Sequence, residues 1–142
     1  MKKLLIAAAA LATATALADN AADAIATGEV RNYEAGLSVT NIRAYAFAEC
    51  RGLETFRADF TTTLGRNALI GCTNLREIHL PSVTNVAYAT MFSGCVRLEN
   101  VYLPLIGIEA AKASGFPWQT PAKAVVFHLA DGDFDRNGRK VD

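Results

Sequence analysis

Between residues 42 and 104, apolar positions return in the same order every 22 to 23 residues. The register is easiest to see from Cys50, Cys72 and Cys95. Three positions after each comes Leu53, Leu75 or Leu98, six after comes Phe56, Ile78 or Val101, and eight after comes Ala58, Leu80 or Leu103. Three positions before each stands Phe47, Leu69 or Phe92. In Leu75-Arg76-Glu77-Ile78-His79-Leu80, Ile78 and Leu80 share one face of an extended chain and His79 takes the other, so the spacing predicts a short strand. Pro81 and Pro104 close the second and third copies, because proline cannot donate to a ladder. Upstream of the cysteines, Ile42, Ala46, Phe47 and Cys50, matched by Leu64, Ala68, Leu69 and Cys72, show helix-like spacing. That stretch predicts one or two helical turns or an irregular arc, with Gly71 and Gly94 at a tight exit. One strand and one return cannot cover their own apolar face. Stacked copies can, with strands about 4.8 Å apart. The predicted fold is an α/β solenoid with a small parallel sheet, short helical returns and a cap at each end.

These residues resemble the BspA-like leucine-rich-repeat family, whose units read roughly I-x-x-x-A-F-x-x-C-x-x-L-x-x-I-x-L-P. Here the pattern is carried by Ile42, Ala46-Phe47, Cys50, Leu53 and Phe56, by Ala68-Leu69, Cys72, Leu75, Ile78 and Leu80-Pro81, and by Phe92, Cys95, Leu98, Val101 and Leu103-Pro104. The period lies in the leucine-rich-repeat range. The first copy departs with Ala58-Asp59 in place of Leu-Pro, and the third with Met91 in place of Ala. The resemblance implies an exported or surface protein that binds other proteins, some members adhering to host matrix or to cells, and it implies no catalytic residues. Many members carry far longer arrays than three units.

Residues 42–104 are thus three repeats, and the flanks read as covers for the open ends of the stack. Residues 19–41 form an N-terminal cap or flexible segment: 19–27 is disordered or a short helix, and 29–40 supplies an edge strand. Residues 105–142 hold a partial fourth repeat and the C-terminal cap. A short helix is expected over Glu109–Ser114, stopped by Gly115, and a last strand over Lys123–Leu129 with Phe127 and Leu129 inward and His128 outward. Trp118, between Pro117 and Pro121, is read as covering the last unit.

Residues 1–18 alter the composition. Lys2 and Lys3 precede an apolar run to Leu17, and Ala16-Leu17-Ala18 places small residues before Asp19, the order of a signal peptide cleaved after Ala18. The run is shorter than the roughly 20 residues of a spanning helix. The mature chain is therefore expected to be secreted, periplasmic or held at the cell surface, with no membrane span. The full chain balances 14 basic against 14 acidic residues, and removing the leader tips it slightly acidic. Without a basic block it offers no footprint for nucleic acid.

Function is sought on the outward strand positions. Arg57, His79 and Tyr102 share one column, which the outward His128 of the last strand would extend, and Glu77 and Asn100 border it. Adjacent members stand about 5 Å apart and offer cation, imidazole and phenol together. The expected function is recognition of a protein partner, such as a host matrix or cell-surface protein, through this face. The alternative is a structural spacer or envelope component without a specific ligand. If the face recognises a partner, alanine at Arg57, His79 and Tyr102 together weakens that binding and leaves the melting temperature nearly unchanged. Glu54, Arg76 and Glu99 form a second column whose alternating sign suggests cross-strand pairing. The three cysteines lie too far apart for a metal site and are read as buried free thiols, with one disulfide as the alternative. Asp133-Phe134-Asp135-Arg136-Asn137-Gly138 matches half of a calcium loop, but the register fails beyond it and an Asn-Gly turn is preferred. No nucleophile, acid–base pair, metal motif or phosphate-binding glycine loop is legible, so no catalytic residue, metal or cofactor is assigned.

Overall fold

The alternating strand positions become rungs of a continuous stack. The structure, a computed structural model, describes residues 3–6, 31–86 and 89–142. The strands are β1 (Lys3–Ile6), β2 (Asn32–Ala35), β3 (Asn41–Ile42), β4 (Thr55–Arg57), β5 (Thr63–Leu64), β6 (Glu77–His79), β7 (Asn100–Leu103), β8 (Val126–Leu129) and β9 (Gly132–Asp135). One helix, α1, spans Ile108–Ala113. The main sheet runs β1-β2-β4-β6-β7-β8-β9. All its pairs are parallel except the closing β8–β9 hairpin. β3 and β5 make a second parallel pair, which a bridge from Thr63 to Asn85 extends.

The register confirms the repeat. Tyr33 pairs with Phe56, Phe56 with Ile78, Ile78 with Val101 and Val101 with Phe127. All five are buried, as are the leucine columns Leu53, Leu75, Leu98 and Leu80, Leu103. The core is one apolar ribbon shared between neighbouring rungs. β2 lies in the segment read as a cap and contributes Tyr33 and Ala35 to the same inward columns. A strand does form within 29–40, as β2, but it is not the edge, because β1 pairs on its outer side. Residues 1–2, 7–18 and 19–30, and with them the leader's cleavage point, lie outside the described residues. Among the described residues no helix is long and apolar enough to cross a membrane.

Of the two expectations for the returns, the irregular arc is found and the helical turns are not. The returns are successive tight turns, in which Ala46, Ala48 and Cys50 donate to the carbonyls three residues back. The intervening Tyr45, Phe47 and Glu49 N–H groups donate instead to Arg66, Ala68 and Ile70 of the next rung. Tyr45, Glu49 and Asn67 sit at positive φ (59°, 61° and 53°), a conformation that interrupts any helix. The backbone thus pairs between units where a helix would pair within one. Gly65 shows how close this brings the rungs: a Cβ there would lie 2.2 Å from the Ala44 nitrogen.

The C-terminal end is closed by side chains. Trp118 is fully buried and meets Phe92, Phe116 and Phe127 edge-to-face at 5.7, 5.4 and 5.5 Å. Its indole N–H donates to Ser114 Oγ at 3.1 Å. Phe127 and Leu129 face inward as expected. α1 begins at Gly107, which has no side chain to cap it. Asp131, in the β8–β9 turn, supplies the carboxylate, accepting from the Ile108 N–H at 3.0 Å.

Candidate functional site

The parallel register dictates the outer face as strictly as the core. Arg57 lies opposite His79, His79 opposite Tyr102, and Tyr102 opposite His128. Strands at this spacing hold planar side chains at stacking distance. The His79 and Tyr102 ring centroids are 4.4 Å apart with planes 9° from parallel. Tyr102 and His128 repeat the arrangement at 4.3 Å and 8°. His128 is therefore a full member of the column. At its other end, Arg57 Nε donates to Asp59 Oδ2 at 3.0 Å.

Glu77 and Asn100 form the adjoining column with Thr55. Glu77 Oε2 lies 3.2 Å from His79 Nε2. His128 is held from both sides, with Nε2 2.9 Å from Asn100 Oδ1 and Nδ1 2.8 Å from Asp133 Oδ1. The structure thus brings together all five residues singled out from the sequence and sets the two imidazoles against carboxylate and amide neighbours. Towards β2 the face sinks into a hollow of about 300 Å³ lined by Asn32, Thr55, Arg57, Glu77 and His79 among others. In the alternating-charge column Arg76 Nε lies 3.8 Å from Glu99 Oε1. Arg31 extends it, 2.6 Å from Glu54. Arg31 lay in a segment without visible repeat, so only the strand pairing reveals its place.

The cysteines form a column of their own. Cys72 Sγ donates to the Phe47 carbonyl at 3.1 Å, and Cys95 Sγ to the Leu69 carbonyl at 3.3 Å. All three thiols are free and buried. Burial pushes Cys50 up to about 11, helped by Glu49, and Cys95 up to about 12 against a lowering backbone hydrogen bond. Cys72 is raised further, by burial and by its two thiol neighbours. Neutral thiols inside an apolar ribbon are packing groups and poor nucleophiles.

The calcium-like half-loop is a turn. Asp135 Oδ1 accepts the N–H groups of Asn137 and Arg139 at 2.8 and 2.9 Å. Those bonds, the one from Arg139 first, hold its carboxyl below the usual range. Asp133 is engaged by His128. Among the described residues no three His, Cys, Asp or Glu side chains gather as a metal site would require.

Comparison with known proteins agrees with the rung geometry. The family model for a BspA type leucine rich repeat region, in six copies, matches residues 26–117. The match begins well before residue 42, in keeping with β2 being a rung. No curated protein and no solved structure matches the chain. Repeats of this kind are generally non-enzymatic and support protein interaction. On a model covering more than half its length and a stack with the matching register, the chain belongs to the BspA-type leucine-rich-repeat family.

Proposed function

We propose that this protein is an exported interaction module that binds a protein partner, such as a host matrix or cell-surface protein, through its open strand face. The observation that carries the reading is the stacked column His79, Tyr102 and His128, flanked by Arg57, Glu77 and Asn100. A row of rigid rings presents aromatic and polar edges at low entropic cost, which favours recognition. Export rests on the N-terminal pattern, and the mature protein would begin at Asp19. Adhesion is one use of such a face.

The test is binding of the purified protein to immobilised matrix and cell-surface proteins. Arg57→Gln, His79→Asn and Tyr102→Phe are combined so that the sheet is preserved. The proposal expects at least a tenfold loss of affinity with an unchanged circular dichroism spectrum. Undiminished binding would place the partner elsewhere. Mass spectrometry of the exported protein tests the leader separately.

One observation favours a second reading, a structural spacer. Both His128 ring nitrogens already face acceptors, and Glu77 engages His79, so part of the face is satisfied internally. A spacer would bind none of the panel.

A further inference from the structure

A second hollow lies on the flank of the stack, where the returns enter the strands. The separation from Ile78 to Val101 is 23 residues, and that from Val101 to Phe127 is 26. Beside Pro121–Ala124 of this longer last unit lies an open hollow of about 680 Å³. Its walls include Arg76, Arg97 and Lys123, with Glu99 as their acidic companion and Val96 and Pro121 among the apolar surface. Arg76 is held only loosely by Glu99, at 3.8 Å. Arg97 and Lys123 make no ion pair among the described residues, and both are exposed. Val96 is 54 % exposed, one of the few large apolar side chains turned to solvent.

We infer that this hollow docks an acidic, partly apolar peptide segment of a protein partner. Charge complementarity selects the sign, since three cations against one carboxylate leave an excess of positive charge on a chain with no net charge. Guanidinium groups match carboxylates in geometry as well as charge. Size and lining select the class. The volume falls within the range of ligand pockets, roughly 300–1,000 Å³, and far exceeds one inorganic anion. Exposed Val96 and Pro121 add an apolar component that a heavily hydrated sulfated sugar would leave unused. The site is separate from the ring column and does not depend on the strand face being a binding surface.

The probe is an amidated peptide alternating glutamate with phenylalanine, added to the ¹⁵N-labelled full chain and followed by amide shifts and fluorescence anisotropy. The inference expects saturable shifts centred on Arg97 and Lys123, and binding that weakens as salt rises from about 50 to 300 mM. Arg97→Glu with Lys123→Glu should reduce affinity at least tenfold, and Arg97→Gln with Lys123→Gln by less. Arg57→Gln with Tyr102→Phe should leave it unchanged, which separates this site from the strand face. Absence of binding, undiminished binding to the charge-reversed variant, or equal binding of a lysine–phenylalanine peptide would overturn the inference. So would tighter binding of a sulfated oligosaccharide through the same two residues, since the occupant would then be a glycan.

Discussion

His79 and Tyr102 stack nearly parallel with ring centroids 4.4 Å apart, and Tyr102 offers its opposite face to His128 at 4.3 Å. The phenol is therefore the middle plate of a three-ring column. Each such pair contributes about 0.5–1.5 kcal/mol beyond burial. Tyr102→Ala, which breaks both pairs, should lower stability by about 1–2 kcal/mol in urea unfolding, and Tyr102→Phe by a small fraction of that. A loss of that size would replace the nearly unchanged melting temperature expected of the column from outward alternation alone.

The thiol column predicts an alkaline limb in stability. The folded chain holds the Cys95 proton to about pH 12, and the unfolded chain releases it near the ordinary value of 9.0. Protons are lost from the unfolded state first, so stability is intact below about pH 9 and falls as pH rises towards 12. The slope is about 1.4 kcal/mol per pH unit for each such thiol. Denaturant titrations at pH 8, 9.5 and 10.5 should show the decline, and Cys95→Ala should make it shallower, Cys50 and Cys72 keeping the rest. Iodoacetamide at about pH 8 should spare the native protein and label three thiols after denaturation.

Gly65 is where two rungs touch. A methyl group there would lie 2.2 Å from the Ala44 nitrogen and 2.5 Å from the Arg43 carbonyl carbon, both backbone. Because neither atom belongs to a mobile side chain, Gly65→Ala must push the rungs apart. It should also disturb the Gly65 N–H bond to Ile42. A loss of about 1–3 kcal/mol is expected, read as a lower urea midpoint with little change in slope.

Asp131 closes α1 from a turn 23 residues along the chain. Its replacement by alanine leaves the Ile108 N–H without that acceptor and should cost about 1 kcal/mol. Asp131→Asn should recover most of the loss, since an amide oxygen caps nearly as well. Faster amide exchange in Ile108–Ala113 is the accompanying sign.

Much of this arrangement was legible in the sequence because period-two alternation in a stacked strand has one meaning. Phe56, Ile78 and Val101 had to face inward together, and Arg57, His79 and Tyr102 followed on the opposite side. For the returns the spacing left helical turns and an irregular arc both open, because residues such as Tyr45, Glu49 and Asn67 do not announce positive φ. Spacing gives which side chains are buried, but not whether an N–H bonds within its own unit or to the next. Arg31 and Tyr33 escaped the repeat because no cysteine marks their rung, and the strand pairing restores them. The flank hollow gathers three basic residues distant in sequence, Arg76, Arg97 and Lys123, so no local motif could have shown it.

The central claim, one parallel stack with its apolar columns in register, is tested most directly by backbone nuclear Overhauser contacts between rungs. Inter-strand contacts should link Tyr33 to Phe56, Phe56 to Ile78, Ile78 to Val101 and Val101 to Phe127, in the parallel pattern. Contacts in an antiparallel pattern, or shifted by one residue so that His79 replaced Ile78 in the buried column, would contradict it.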